Sequence, residues 1–383
     1  MTQPKKPKSL YDLLCEDKAL EEKWKDRGKE VLKQLSRREE LDSTETEEYL
    51  TEFFSQACDL AKSELFFGDP NEKEKIVMNF WSKVEKSGVL LSQRDYLRAS
   101  VVALSFFHRF AKTDFGSSRQ RSFGQAWADA TQGILGEIAF QKIIKATTDG
   151  RLVPILDAKE EELDVALSAD VIQVLFDKKL HKPKKKISIK TTKMNGRWLD
   201  VPYAQKEHSD VYVLVKVGTN SNTFFEFLAK AGALRHVLRM YTDYIKDEVF
   251  KAEKSAYERA SKGVEELEKG SLVVIAIVAG WQKKDSLSQP FFALNSNAIR
   301  ARTKVTVYSG IGTIPPASKG GLTADQIEFP DSIKEAVREK LQGLEVSFHP
   351  IESFSKAGHA LSSTDLLNPD LEPIIEFLYP EVH

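Results

Sequence analysis

The run SLVVIAIVA, Ser271 to Ala279, limits the possible folds of this chain more than any other stretch. It is bounded by Gly270 and Gly280 and contains no charged residue. Side chains of a strand alternate between two faces, so a strand apolar at every position must be covered on both. A second strand, Asp210 to Val217 in SDVYVLVKV, is also mainly apolar. Sheets of this kind lie between helices, and the chain has helices to supply. Leu10–Leu35 is charged and amphipathic, a polar break follows at Asp42–Thr46, and Tyr49–Leu65 repeats apolar residues at helical intervals. Lys73–Val84, Gln93–Phe110 and Gln125–Ala146 read as further helices. In the last of these, Trp127, Ala130, Ile134 and Ile138, extended by Phe140 and Ile144, form one apolar face that includes Glu137.

The segment Asp170–Thr192, DVIQVLFDKKLHKPKKKISIKTT, reads as two strands around a very basic turn. Val171–Phe176 is apolar and β-prone, and Ile187–Thr192 alternates. Paired as an antiparallel hairpin centred near Leu180, the strands set Asp170 opposite Lys190, with Ser188 on the same side. An acid, a hydroxyl and a lysine converging at a hairpin end suit a divalent metal held beside a phosphate. Residues 178–197 contain nine Lys or Arg and no acid, whereas 157–164 contain five acids and one Lys. Such a basic band grips a phosphate backbone. Its bland alternative is a solvated turn.

Four elements in order resemble the PD-(D/E)XK restriction-endonuclease-like nucleases: the helix QGILGEIAFQKII with Glu137, Asp170 in SAD, ISIK with Ser188 and Lys190, and the strand to Val217. The resemblance covers about residues 125–220 and departs from the pattern at two positions. Ser188 stands where a carboxylate is usual, and Ala169 stands in place of Pro. An S-x-K variant takes the missing carboxylate from a helix, here Glu137, with Glu207 as the other candidate. The resemblance implies an α/β (α+β) fold with a restriction-endonuclease-like core. A mixed central sheet is flanked by helices, and a helical N-terminal domain precedes it. The expected division is a helical domain at 1–115, a nuclease core at 116–310 with a helical insertion at about 224–269, and a C-terminal appendage at 311–383. FGSSRQRSFG, Phe115–Gly124, is the expected linker into the core.

The implied activity is Mg²⁺-dependent hydrolysis of double-stranded DNA by a sequence-specific type II restriction enzyme. Asp170 and Glu137 would be metal ligands, Ser188 would bond a metal-bound water, and Lys190 would orient the nucleophile. Lys178, Lys179, Lys182, Lys184, Lys185, Lys186, Lys193 and Arg197 would contact DNA phosphates. Cutting both strands implies a homodimer, and a cognate DNA methyltransferase would accompany such an enzyme. Two alternatives remain: a catalytically inactive nucleic-acid-binding module on the same fold, or a helical interaction protein with a structural hairpin. Asp164, Asp177 and Asp210 compete with Asp170 less well, Asp177 as a solvated turn residue and Asp210 as a strand-start residue.

Composition bounds these readings. At 383 residues and 41% hydrophobic content the chain can bury a substantial core as two or three domains. Balanced charge, 56 basic against 57 acidic residues, argues against non-specific coating of nucleic acid. The start MTQPKKPKSLYDLL lacks a signal-peptide apolar region, no run approaches the ~20 apolar residues of a membrane span, and only Cys15 and Cys58 are present. A cytoplasmic protein with reduced thiols is expected. No GxxxxGK[ST] loop supports ATP-driven translocation, and the seven His show no paired metal-ligand spacing.

Overall fold

The computed structural model describes residues 8–66, 72–105, 123–156, 169–196, 198–202, 205–220, 222–245, 247–269, 272–288, 291–294, 304–310, 313–314, 331–340, 345–350, 359–364 and 367–379. Lys8–Ser9 (β1) precedes the helices Leu10–Cys15 (α1), Lys18–Arg38 (α2), Ser43–Glu48 (α3) and Leu50–Ser63 (α4), and Leu65–Phe66 (β2) pairs back with β1. Lys73–Ser87 (α5), Gly88–Leu91 (β3) and Gln93–Ser105 (α6) follow. The middle of the chain holds Phe123–Thr147 (α7), Leu152–Leu156 (β4), Val171–Phe176 (β5), Lys179–His181 (β6), Ile187–Lys193 (β7), Trp198–Pro202 (β8) and Val211–Val217 (β9). Thr223–Lys230 (α8), Ala233–Tyr244 (α9) and Asp247–Lys269 (α10) separate β9 from Val274–Lys283 (β10). The remainder is Phe291–Leu294 (β11), Lys304–Gly310 (β12), Thr313–Ile314 (β13), Asp331–Lys340 (α11), Glu345–Pro350 (β14), His359–Ser363 (β15) and Glu372–Leu378 (α12).

The central sheet has the order β3-β10-β9-β7. Strand β10 runs antiparallel to both its neighbours, and β7 runs parallel to β9, so the sheet is mixed. The burial on both faces expected of Ser271–Ala279 is realised over Val274–Ala279, and Ser271 lies outside the described residues. Val274, Ala276 and Val278 join a core with α6, α7 and α12, while Val273, Ile275 and Ile277 join a second core with α1, α2, α4 and α5. Strand β3 divides likewise, Val89 and Leu91 against Leu90. A mixed α/β architecture with helices on both sheet faces is therefore correct. At Gly280 a bulge interrupts the β10–β9 ladder, with φ at 148°. A Cβ there would lie 2.8 Å from the Asn368 carbonyl oxygen, which accepts the Trp281 N–H at 2.9 Å, so only glycine lets these backbones meet.

Three local expectations change. The single helix over 10–35 is two helices, because Asp17 accepts the Leu20 N–H at 3.1 Å and restarts the chain as an N-cap. The polar break at 42–46 is itself a helix start, with Asp42 and Glu45 capping each other's backbone. Helix α7 has no single apolar face. Leu135 through Phe140 are all buried, since α7 lies between the sheet on one side and α6 and β4 on others. Of the expected linker, Phe123 and Gly124 open α7, and residues 115–122 lie outside the described residues.

The C-terminal residues return to this core. Strand β15 pairs with β8, and Ile374 and Leu378 of α12 sit in the α7-side core. Among the described residues no helix is long and apolar enough to cross a membrane. Cys15 and Cys58 are free thiols.

Two contacts fix α7. Its Gly136 meets β7 so closely that an added Cβ would lie 1.9 Å from Thr191 Oγ1, which donates to the Gly133 carbonyl at 3.1 Å. Lys142 Nζ donates to the Leu90 carbonyl at 3.0 Å and to Asp95 at 2.8 Å, and it also pairs with Glu39 at the end of α2. Alanine favours helix over glycine by ~1 kcal/mol. Gly136→Ala should nevertheless destabilise by ~1–3 kcal/mol through overpacking against a stiff β-branched neighbour. Adding Thr191→Ala should recover part of that loss in urea unfolding.

Burial holds the Glu39 carboxyl above the usual carboxylate range, against the pull of Lys142. A raised folded value means the group contributes stability below its unfolded pKa and loses it as pH rises through the folded one. Glu39→Gln should therefore gain on the wild type as pH increases from about 4 to 7. Lys142 keeps Asp95 as a partner in that variant, so urea midpoints across this range report Glu39 itself.

Candidate active site at the edge of the central sheet

Strand β7 lies at the edge of the central sheet, with β9 on one side. Strand pairing uses alternate residues, so Ile187 and Ile189 turn their peptide groups away from β9. Asp170, just before β5, covers that edge. Its N–H donates to the Ile187 carbonyl at 3.1 Å, and its Oδ2 accepts the Ile189 N–H at 2.5 Å and the Ser188 hydroxyl at 2.9 Å. Asp170 and Ser188 are both buried.

The expected hairpin register is corrected by this geometry. Strand β5 pairs with β4 and with the short β6, not with β7. The chain turns at Asp177–Lys178, where φ values of 49° and 64° mark a two-residue hairpin turn, three residues before the predicted centre at Leu180. Strand β7 instead takes β9 as a parallel partner, Ser188 beside Tyr212 and Lys190 beside Leu214. Asp170 thus meets Ser188 and Ile189 rather than standing opposite Lys190. The acid and the S-x-K strand are brought together by a different route.

Ser188 and Lys190 share one face of β7, and Ile187 and Ile189 join the core with α7 on the other. Lys190 is half-buried, and its Nζ donates to Gln205 Oε1 at 2.6 Å. Glu137 is buried in α7, the helix covering the face of β7 opposite Ser188 and Lys190. Glu207 is exposed and pairs with Lys284 at 3.1 Å. Asp210 Oδ2 accepts the Lys186 N–H at 2.9 Å and tethers the start of β9 to that of β7. Asp177 is exposed in its turn, and Asp164 lies outside the described residues.

Lys178, Lys179, Lys182, Lys184, Lys185, Lys186 and Lys193 are all exposed; Arg197 lies outside the described residues. Lys184–Lys186 run directly into Ile187, the residue whose carbonyl Asp170 binds. A basic approach therefore leads to the end of β7 where the buried carboxylate sits. A cavity of ≈ 680 Å³ lies elsewhere, between α9 and α10, lined by Arg235, Arg239 and Tyr257. Its Arg235 is already paired with Glu268, and it shares no residue with the β7 site.

Sequence reasoning missed Gln205 and Tyr212. The Tyr212 hydroxyl donates to the carbonyls of Gln205 at 2.7 Å and Lys206 at 2.8 Å. Burial pushes its phenol up to about 12, and the carboxylates of Glu207, Asp170 and Asp210 add to the rise. The signal for Tyr212 was present, since a phenol in an otherwise apolar buried strand must find a partner. Gln205 carries no comparable signal.

As a donor set, the site offers hard oxygens. Asp170 is a buried carboxylate fixed by two donors, and Mg²⁺ takes one or two carboxylates while retaining waters. Asp170 fits such a role. Among the described residues no three His, Cys, Asp or Glu side chains gather to hold a metal ion. Compared with known proteins, the chain matches no family model, no curated protein and no solved structure.

The buried bonds of Asp170 revise what its substitution should do. Asp170→Ala leaves the Ile189 N–H and Ser188 hydroxyl without their acceptor and should cost ~1–3 kcal/mol. Asp170→Asn keeps an acceptor oxygen while removing the charge, so its unfolding midpoint should stay closer to the wild type.

Proposed function

We propose that this protein is a metal-dependent endonuclease acting on double-stranded DNA, of the restriction type with an S-x-K strand. The observation that carries the reading is Asp170 bonded to Ser188 at 2.9 Å, on a strand that presents Lys190 two residues later and is entered through Lys184–Lys186. Mg²⁺, held by Asp170, would lower the pKa of a bound water and neutralise charge on the phosphoryl oxygens; Glu137, on the helix across β7 from Ser188 and Lys190, would be an auxiliary carboxylate acting through water. Ser188 orients the Asp170 carboxylate by donating to it. Lys190 offers a cation to the developing negative charge or to the attacking water. The exposed lysines before β7 hold the phosphate backbone without reading sequence.

A homodimer and a partner methyltransferase belong to this proposal. Val237, Met240 and Tyr244 are exposed along α9, an apolar stripe available to a second copy. Ser188 also favours a second reading, a DNA-binding module without catalysis, because it removes one carboxylate from β7.

Supercoiled plasmid with Mg²⁺ is the direct test. The wild type should linearise or nick it, and Lys190→Ala and Asp170→Asn should lower the rate by at least about a hundredfold. Wild-type turnover in either variant would remove this site from consideration. Salt-dependent DNA binding with no cleavage by the wild type would favour the binding module. Changing Lys184, Lys185 and Lys186 to Ala should weaken binding to all sequences alike and reduce the salt slope by up to ~3. An unchanged slope would make the basic segment a solvated surface.

A further inference from the structure

We infer that Gln205 and Tyr212 are positioning residues that together set the orientation and proton affinity of the Lys190 ammonium. For its chemical consequence this inference rests on the nuclease reading; for its geometry it does not. Lys190 Nζ donates to Gln205 Oε1 at 2.6 Å, and the Gln205 carbonyl in turn accepts from the Tyr212 hydroxyl at 2.7 Å. Tyr212 stands beside Ser188 in the β7–β9 register, so the chain of contacts starts and ends on adjacent strands of one sheet face. Gln205 itself belongs to no strand and needs an anchor to hold a long side chain in place.

The chemistry of each link has a consequence. An amide oxygen takes a stronger hydrogen bond from an ammonium than from a neutral amine, so it favours the charged form of Lys190. Being neutral, it does so without cancelling the charge that a phosphate would meet, as a glutamate would. Tyr212 sits on a central strand and donates to two successive carbonyls, of Gln205 and Lys206. Its phenol, held up at about 12 by burial, stays a donor throughout the neutral range.

The test uses the full-length protein and the rate at which an N-hydroxysuccinimide ester acylates Lys190, read by peptide mass spectrometry at pH 8. Only the neutral amine reacts, and exposed Lys193 on the same strand is the internal reference. Gln205→Glu, nearly isosteric, should slow Lys190 acylation about tenfold, one unit of proton affinity. Gln205→Met and Tyr212→Phe should accelerate it, because the acceptor is lost in one and unanchored in the other. In Mg²⁺-dependent plasmid cleavage, Gln205→Met should lower kcat with little change in KM. Lys190 rates that stay within about twofold of the wild type in both Gln205 variants would overturn the inference. So would an unchanged kcat for Gln205→Met in a protein that cleaves. If the wild type does not cleave DNA, the nuclease reading fails, and the acylation rates still decide the positioning role.

Discussion

The carboxylate of Asp170 on the open edge of β7 is the contact on which the rest of the site depends. Among the described residues strand β7 has a strand partner on one side only, and its outward peptide groups need bonds once they are buried. Asp170 supplies both halves of a missing strand neighbour, a backbone N–H to the Ile187 carbonyl and a carboxylate oxygen to the Ile189 N–H. That joint fastens the β4–β5–β6 sheet to the central one. It also fixes the facing of β7, since a one-residue slip would send Ser188 and Lys190 into the α7-side core and Ile189 out of it. The price of unmade bonds in this buried edge is what keeps the acid in place, whatever chemistry it performs.

What the sequence disclosed and what it hid divide along a physical line. The doubly buried part of β10, Val274–Ala279, was readable because burial on both faces leaves an apolar residue at every position. The strand to Val217 and the helix around Gln125–Ala146 were readable for similar reasons of run length and composition. Pairing was not. Asp177–Lys178 adopts a tight turn without the Asn-Gly or Asp-Gly pair that announces one, so the hairpin closes earlier than its charge pattern implied. The parallel pairing of β7 with β9 spans a connection that includes β8, and no local signal specifies such a long-range choice. Asp170 and Ser188 do meet, but through the bond of Asp170 to the edge of β7 and not through the hairpin register expected for them. The contact of Lys190 with Gln205 was invisible, since it depends on where an irregular segment comes to rest.

The helical layer opposite the site is held to the same strand by a different constraint. Gly136 allows α7 to touch Thr191, and Thr191 bonds back to the Gly133 carbonyl, so helix and strand are locked at short range. A glycine inside a helix costs ~1 kcal/mol against alanine, which is tolerable where close approach secures a core contact. Glu137 follows Gly136 directly and inherits this position. Its side chain is buried there, where a polar group needs a partner.

With Ser188, Asp170 is, among the described residues, the one carboxylate bonded at this edge of β7, where a glutamate at 188 would add a second. With serine on β7, Asp170 is the acid that this edge contributes, and the hydroxyl spends its proton on that acid at 2.9 Å. Lys190 then faces less negative charge from its own strand than an E-x-K lysine would. Its ammonium donates to a neutral acceptor, the Gln205 amide oxygen, at 2.6 Å. The Ser188–Asp170 bond and the Gln205–Tyr212 support lie on the same face of the β7–β9 pair. Ser188, two residues before Lys190, and Gln205, which accepts from its ammonium at 2.6 Å, are both uncharged.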